Sequence, residues 1–81
     1  LSEAFPNPAG DHVNLVISLN TPSDLRIEVT DMTGRILDSF SQREEKEGLI
    51  RMDVSGLSAG QYFIRVTDSD QNQAFRRFVK W

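Results

Sequence analysis

Few residues in this 81-residue chain are of a type that could do chemistry. The one histidine, His12, opens an alternating segment just behind a Pro/Gly stretch, where an imidazole is more often solvated than a base or a ligand. There is no cysteine, so a structural zinc site lacks its donors. Ser55 and Ser58 stand beside Gly56 and Gly60 in Asp-Val-Ser-Gly-Leu-Ser-Ala-Gly. A nucleophile elbow needs Gly-x-Ser-x-Gly between a strand and a helix, which this is not. The same glycines lack the lysine and following helix of a phosphate loop. Of the carboxylates, Asp68-Ser69-Asp70 is similar to part of a calcium loop but lacks the spaced glycine and later glutamate. Asp31, Asp53, Asp68 and Asp70 are read instead as turn residues that bond local backbone. With no nucleophile or acid–base constellation, the expectation is a non-enzyme without metal or cofactor.

The remaining chemistry is at the C-terminus. Residues 74–81, Ala-Phe-Arg-Arg-Phe-Val-Lys-Trp, hold Arg76, Arg77 and Lys80 with no acid among them. The chain as a whole carries a net charge of −3, which argues against general nucleic-acid affinity. The bland reading is a last strand whose cations keep a sheet edge soluble. The functional reading is a recognition tail, in which cations steer an acidic partner and rings supply contact area.

The elements that must position this tail are strands. The most informative run is Asp53 to Val66, which joins an alternating segment (Ile50, Met52, Val54) to a second one (Tyr62, Ile64, Val66). Alternation marks half-buried strands, and Gly56-Leu57-Ser58-Ala59-Gly60 is the corner between them. Leu57-x-x-Gly60-x-Tyr62 has the form of a tyrosine corner, in which the phenol bonds backbone a few residues upstream. Before it, Val13, Leu15, Ile17 and Leu19 alternate, as do Leu25, Ile27 and Val29, with Asn20-Thr21-Pro22-Ser23 read as a break. Asp31-Met32-Thr33-Gly34 is a hairpin turn with Gly34 in the left-handed conformation. Residues 35–40 return as a strand whose inward face is ambiguous at Ile36-Leu37.

Residues 41–48, where Glu44, Glu45 and Glu47 cluster with Arg43 and Lys46, offer no apolar face and read as a loop. The lead-in Phe5-Pro6-Asn7-Pro8-Ala9-Gly10 is extended by its prolines and should lie along a sheet edge with Phe5 as its anchor. In the last segment Phe75 and Phe78 differ in parity, so either a bulge intervenes or one ring is exposed.

This spacing describes an all-β domain, an immunoglobulin-like antiparallel sandwich of about seven strands. At this length it is one unit, burying about 60–65% of its unfolded surface and stabilised by packing alone. Residues 1–10 are read as a linker from an upstream protein and 11–81 as the domain. No apolar run reaches the roughly 18–20 residues that span a bilayer, so no direct membrane insertion is expected. The first residues do not form a signal peptide, and the chain reads as a piece of a longer protein.

Four pieces, in order, carry a resemblance. They are the lead-in Pro6-Asn7-Pro8-Ala9, the strand–turn Val29 to Gly34 followed by Arg35, the Gly56-Leu57-x-x-Gly60-x-Tyr62 corner, and the basic, aromatic end from Arg76 to Lys80. Together the chain resembles the type A C-terminal sorting domain of the type IX (Por) secretion system. The resemblance implies a non-catalytic signal at the end of a cargo protein exported by a Gram-negative bacterium. The cargo would enter the periplasm by an ordinary signal peptide and then meet the outer-membrane machinery. A cell-surface sortase would remove the domain near its N-terminal boundary, leaving the cargo at the surface or secreted.

By position, the family's recognition residues fall on Arg76, Arg77, Phe78, Val79 and Lys80, and its glycine corner on Gly56, Leu57, Gly60 and Tyr62. Trp81 departs from the family pattern, whose members often stop at lysine or a short polar tail. An unpaired sheet edge would also permit a strand-to-strand dimer. The alternative is an adhesion or carbohydrate-associated module that stacks sugars on Phe40, Phe78 or Trp81.

Overall fold

The computed structural model describes the backbone of residues 1–81 and every side chain except those of Glu44 and Glu45. It contains four strands, β1 (His12–Thr30), β2 (Ile36–Asp53), β3 (Gly60–Thr67) and β4 (Gln73–Lys80), antiparallel in the order β2-β1-β3-β4. The described residues form no helix.

The first two strands are long because each runs through both layers of a sandwich. Residues 12–18 of β1 pair with residues 47–53 of β2 on one side and with the lead-in, at Phe5, on the other. Residues 25–30 of β1 lie between residues 36–42 of β2 and residues 63–67 of β3, with β4 beyond. Between the halves the register shifts at Ser18/Ser23 and Ser23/Leu25, and such irregularities bend and twist a paired ribbon. One strand can therefore serve two layers without a loop.

Two sequence expectations fail here for the same reason. Asn20–Ser23 does not end a strand, and residues 41–48 are not a loop; both are strand, at the bend of the β1–β2 ribbon. About seven strands thus become four. Backbone pairing needs no apolar side chains where both faces meet water, so the polarity that suggested loops does not exclude a strand. The expected charge cluster of residues 43–47 lies partly outside the described side chains, at Glu44 and Glu45.

Inward residues of both layers meet in one core. Val13, Leu15 and Ile17 from one half of β1 face Leu25, Ile27 and Val29 from the other half, with Ile50, Met52, Val54, Tyr62, Ile64, Val66 and Phe78 completing it. Leu57, in the corner loop, packs on it from one side. Leu37 also leans on the core while Ile36 is exposed, because Val29 pairs with Asp38 and Thr30 with Ile36. Leu37 is the extra residue of that bulge, which resolves the ambiguity of the third segment.

The hairpin between β1 and β2 turns on Asp31. Its Oδ1 accepts the amides of Thr33 (2.9 Å) and Arg35 (3.0 Å) and the Thr33 hydroxyl (2.6 Å). Gly34 takes φ = +87°, the left-handed region open to glycine at little steric cost. The Thr33 hydroxyl, more than any other group, holds the Asp31 carboxyl below its ordinary value of 3.8.

Residues 1–9 do not trail away from the sandwich. Phe5 exchanges backbone hydrogen bonds with Asn14 (3.0 and 2.7 Å), and Ser2 N–H bonds Val16 O at 2.9 Å. Further on, Ala9 bridges in parallel to Lys80 at the end of β4. The lead-in thus crosses from one layer to the other. Its anchors are small: Ala4 and Ala9 are buried, whereas the Phe5 ring, the expected anchor, is 42% exposed.

Candidate recognition surface

Strand β4 is aimed by the turn before it. Asp68 Oδ1 accepts the amides of Asp70 and Asn72, both at 2.9 Å, and Asp68 N–H bonds Asn72 O. The Asn72 amide is the main cause of the lowered Asp68 pKa. From this turn β4 runs beside β3 in unbroken register, from Thr67↔Gln73 to Gly60↔Lys80. With no bulge, period-two alternation applies over the whole strand. Phe78 points into the core at 0% exposure, and Phe75 points out at 53%. Of the two ways to reconcile their parity, an exposed ring is the one adopted.

The five sequence candidates are divided by this alternation. Phe78 is scaffold: its ring lies 5.6 Å from that of Tyr62, interplanar angle 25°. The Tyr62 phenol donates to Ser58 O at 2.6 Å, closing the corner over the loop that holds Gly56 and Leu57. A turn bond from Leu57 N–H to Val54 O shapes that loop, and Gly60 enters β3 at φ = +157°. Arg76, on the same parity as Phe78, is a clasp. Its Nε donates to Ser2 O and its Nη2 to Leu1 O, both at 3.0 Å, and its Nη1 to Phe75 O at 2.7 Å. Glu3 lies 3.5 Å from the same guanidinium. Lys80 is partly covered, its ammonium 3.4 Å from Trp81 O. Of the five, only Arg77 and Val79 are exposed, both on the outer side.

Nor is the outer edge of β4 a free edge at this end. Val79 N–H donates to Asn7 Oδ1 at 2.9 Å, Val79 O accepts Ala9 N–H at 2.6 Å, and Trp81 N–H bonds Ala9 O at 3.1 Å. Pro6 and Pro8 flank Asn7 in this contact, both after cis peptide bonds. The Pro-Asn-Pro-Ala stretch and the basic tail, at opposite ends of the sequence, are therefore one structural feature.

The outward face holds residues that sequence reasoning did not mark for recognition. Phe75 stands opposite Arg65, Arg77 opposite Phe63, and Val79 opposite Gln61. Arg65 in turn pairs with the buried Glu28 of β1, Nη2 to Oε1 at 2.6 Å and Nε to Oε1 at 2.8 Å. Counting by twos from Phe78 would have found Phe75, once β4 was known to be unbroken.

Three of the polar residues considered for catalysis, His12, Asp53 and Ser55, line one pocket with Asp11 and Arg51. His12 Nδ1 is 2.9 Å from Asp11 Oδ1, and that hydrogen bond is the main cause of the lowered Asp11 pKa. Asp53 accepts the Ser55 amide at 2.9 Å, which caps a turn. Arg35 pairs with Asp31 at 3.1 Å on the exposed hairpin. Among the described residues no group of three or more His, Asp or Glu could hold a metal ion.

The sandwich is similar to the crystal structure of a DUF3244 family protein with an immunoglobulin-like β-sandwich fold from Bacteroides vulgatus. The TM-score is 0.72 at 21% identity, over 90% of this chain and 78% of that one, which establishes the immunoglobulin-like fold. A search of curated proteins returns no match. The family profile described as secretion system C-terminal sorting domain matches residues 3–80, from the lead-in to the last residue of β4. That span takes in the lead-in, both long strands, the tyrosine corner and the clasped last strand, and the chain belongs to the family of type IX secretion-system C-terminal sorting domains.

Proposed function

We propose that this domain is a folded, non-catalytic address tag that the outer-membrane secretion machinery reads through β4. The reading is carried by the match of residues 3–80 to the sorting-domain family, which supports attachment to a cargo and passage through the type IX system to the surface or beyond. The cargo crosses the periplasm first, and a surface sortase then cuts near residues 1–10, where the linker enters the sandwich. Arg76, Arg77, Phe78, Val79 and Lys80 serve recognition in two ways. Phe78 and Arg76 hold the strand in shape from within, and Arg77 and Val79 meet the partner from outside. A glycan-binding role has less support, because Phe78 is inside the core and Phe40 is partly buried against it, which leaves Trp81 as the exposed ring of the three.

The test is a periplasm-targeted reporter fused to the whole domain, with and without residues 76–81, in a type IX-competent host. Export is expected only of the intact fusion, and equal export of both would overturn the reading. Because the deletion removes Phe78 from the core, a folded Arg77→Glu variant is measured beside it.

A further inference from the structure

Resting on that reading, we propose that the outer face of β3 and β4, built from Phe63, Phe75, Arg77 and Val79, docks an acidic, apolar-bearing segment of a partner protein by side-chain contact. Two modes of reading a last strand are open in principle: adding a strand to its edge, or packing on its outward side chains. At Val79 and Trp81 the β4 edge is already taken by Asn7 and Ala9. The Arg76 guanidinium covers Phe75 O and reaches the carbonyls of Leu1 and Ser2. Strand addition would have to break these contacts, whereas side-chain docking breaks none.

Charge then selects the partner. The domain carries a net charge of −3, and Arg26, Glu28 and Arg65 share one pocket with Asp24 and Asp68, whereas Arg77, farther along β4, stands opposite the apolar Phe63. Glu28 is buried and held by Arg65. Arg77 makes no ion pair with any described residue. The face is therefore positive at its Arg77 end on an acidic domain, and such a field draws in and orients an acidic segment. Around the cations stand Phe75 at 53%, Val79 at 36% and Trp81 at 73% exposure, with Phe63 half-buried opposite Arg77. Rings flanking an arginine give contact area as well as charge, the composition typical of interface centres.

Export of the full reporter fusion is compared for wild type, Arg77→Glu, Phe75→Ser and the pair, with Arg51→Glu on the other layer as the control for charge reversal. The three substituted side chains are exposed, so thermal unfolding is expected to be unchanged and is measured for each variant. A drop in export of at least about tenfold for the Phe75/Arg77 pair, with Arg51→Glu at wild-type level, is the expected result. If the pair is exported normally while deletion of residues 76–81 stops export, the outer face is not the docking surface and the sorting reading stands. If the deletion is also exported normally, both fall. Binding to phosphatidylglycerol vesicles that depends on Arg77 while export does not would assign the face to a membrane and overturn a protein partner.

Discussion

The two faces of β4 have opposite surroundings. Inward, Ala74, Arg76, Phe78 and Lys80 are partly or fully covered; outward, Phe75, Arg77 and Val79 are exposed. Arg76 and Arg77 are neighbours in sequence and identical in chemistry, yet one ties down residues 1 and 2 and the other faces solvent. The lesson is that a basic motif on a strand is two half-motifs. One half keeps the strand in place and the other is available to a partner, and substitution should separate them.

The largest separation is expected at Phe78. Replacing it by alanine empties a fully buried site beside Tyr62 and should cost about 3–5 kcal/mol in urea denaturation, a large part of a small domain's stability. Arg77→Ala one residue earlier should stay within about 0.5 kcal/mol. If the two substitutions were equally costly, the division of faces would be wrong.

Arg76 tests the inward face without a cavity. Its guanidinium bonds three carbonyls and its side chain is 26% exposed, so Arg76→Ala should cost about 1–2 kcal/mol, less than buried charged hydrogen bonds would. The more telling readout is local. Hydrogen exchange at Ser2 and Phe5, whose amides bond Val16 O and Asn14 O, should speed up while the Tyr62 and Ile64 amides hold. Uniform acceleration would mean that Arg76 supports the sandwich generally and does not clasp the lead-in.

A smaller effect is expected at Tyr62, the platform for Phe78. Tyr62→Phe keeps the stacked ring and removes one hydrogen bond to Ser58 O, a loss of about 1 kcal/mol. A loss as large as that of Phe78→Ala would place the stability of the corner in the phenol and not in the ring.

Much of this arrangement is legible in the sequence. Val13 to Leu19, Leu25 to Val29 and Tyr62 to Val66 announce buried faces by alternation, and Gly34 announces its turn, because apolar burial and positive φ each demand particular residue types. The bend at residues 19–23 and the strand at residues 41–48 were not legible, since exposed backbone pairing places few demands on side chains. Nor was the lead-in's grip. It works through Ala4, Ala9 and main-chain bonds, and small residues give little signal of burial. The recognition residues were legible as a composition but not as a surface, because their parity depends on an unbroken register that only β3 and the preceding turn supply.

That turn offers the finest test of what sets the two faces apart. It is a near copy of the β1–β2 hairpin: Asp31 and Asp68 each accept the amides two and four residues on. The fourth residue differs, being Gly34 at φ = +87° in one and Gln71 at φ = +67° in the other. A side chain in the left-handed region costs about 1–2 kcal/mol, part of which glycine gives back through its freer unfolded state. Gln71→Gly should therefore stabilise the domain by about 0.5–1 kcal/mol, while Gly34→Ala destabilises it by a similar amount. The aspartate scaffold adds a pH signature. Because the Asp68 pKa is lowered in the folded turn, its contribution is complete above the ordinary value of 3.8 and is lost as pH falls through the lowered value. Exchange protection at the Asn72 amide should hold down to that range and then fall, in Gln71→Gly as in the wild type. If Gln71→Gly instead loosened the hairpin, the side chain of Gln71 would be holding the turn, and the register that turns Phe78 in and Arg77 out would rest on it.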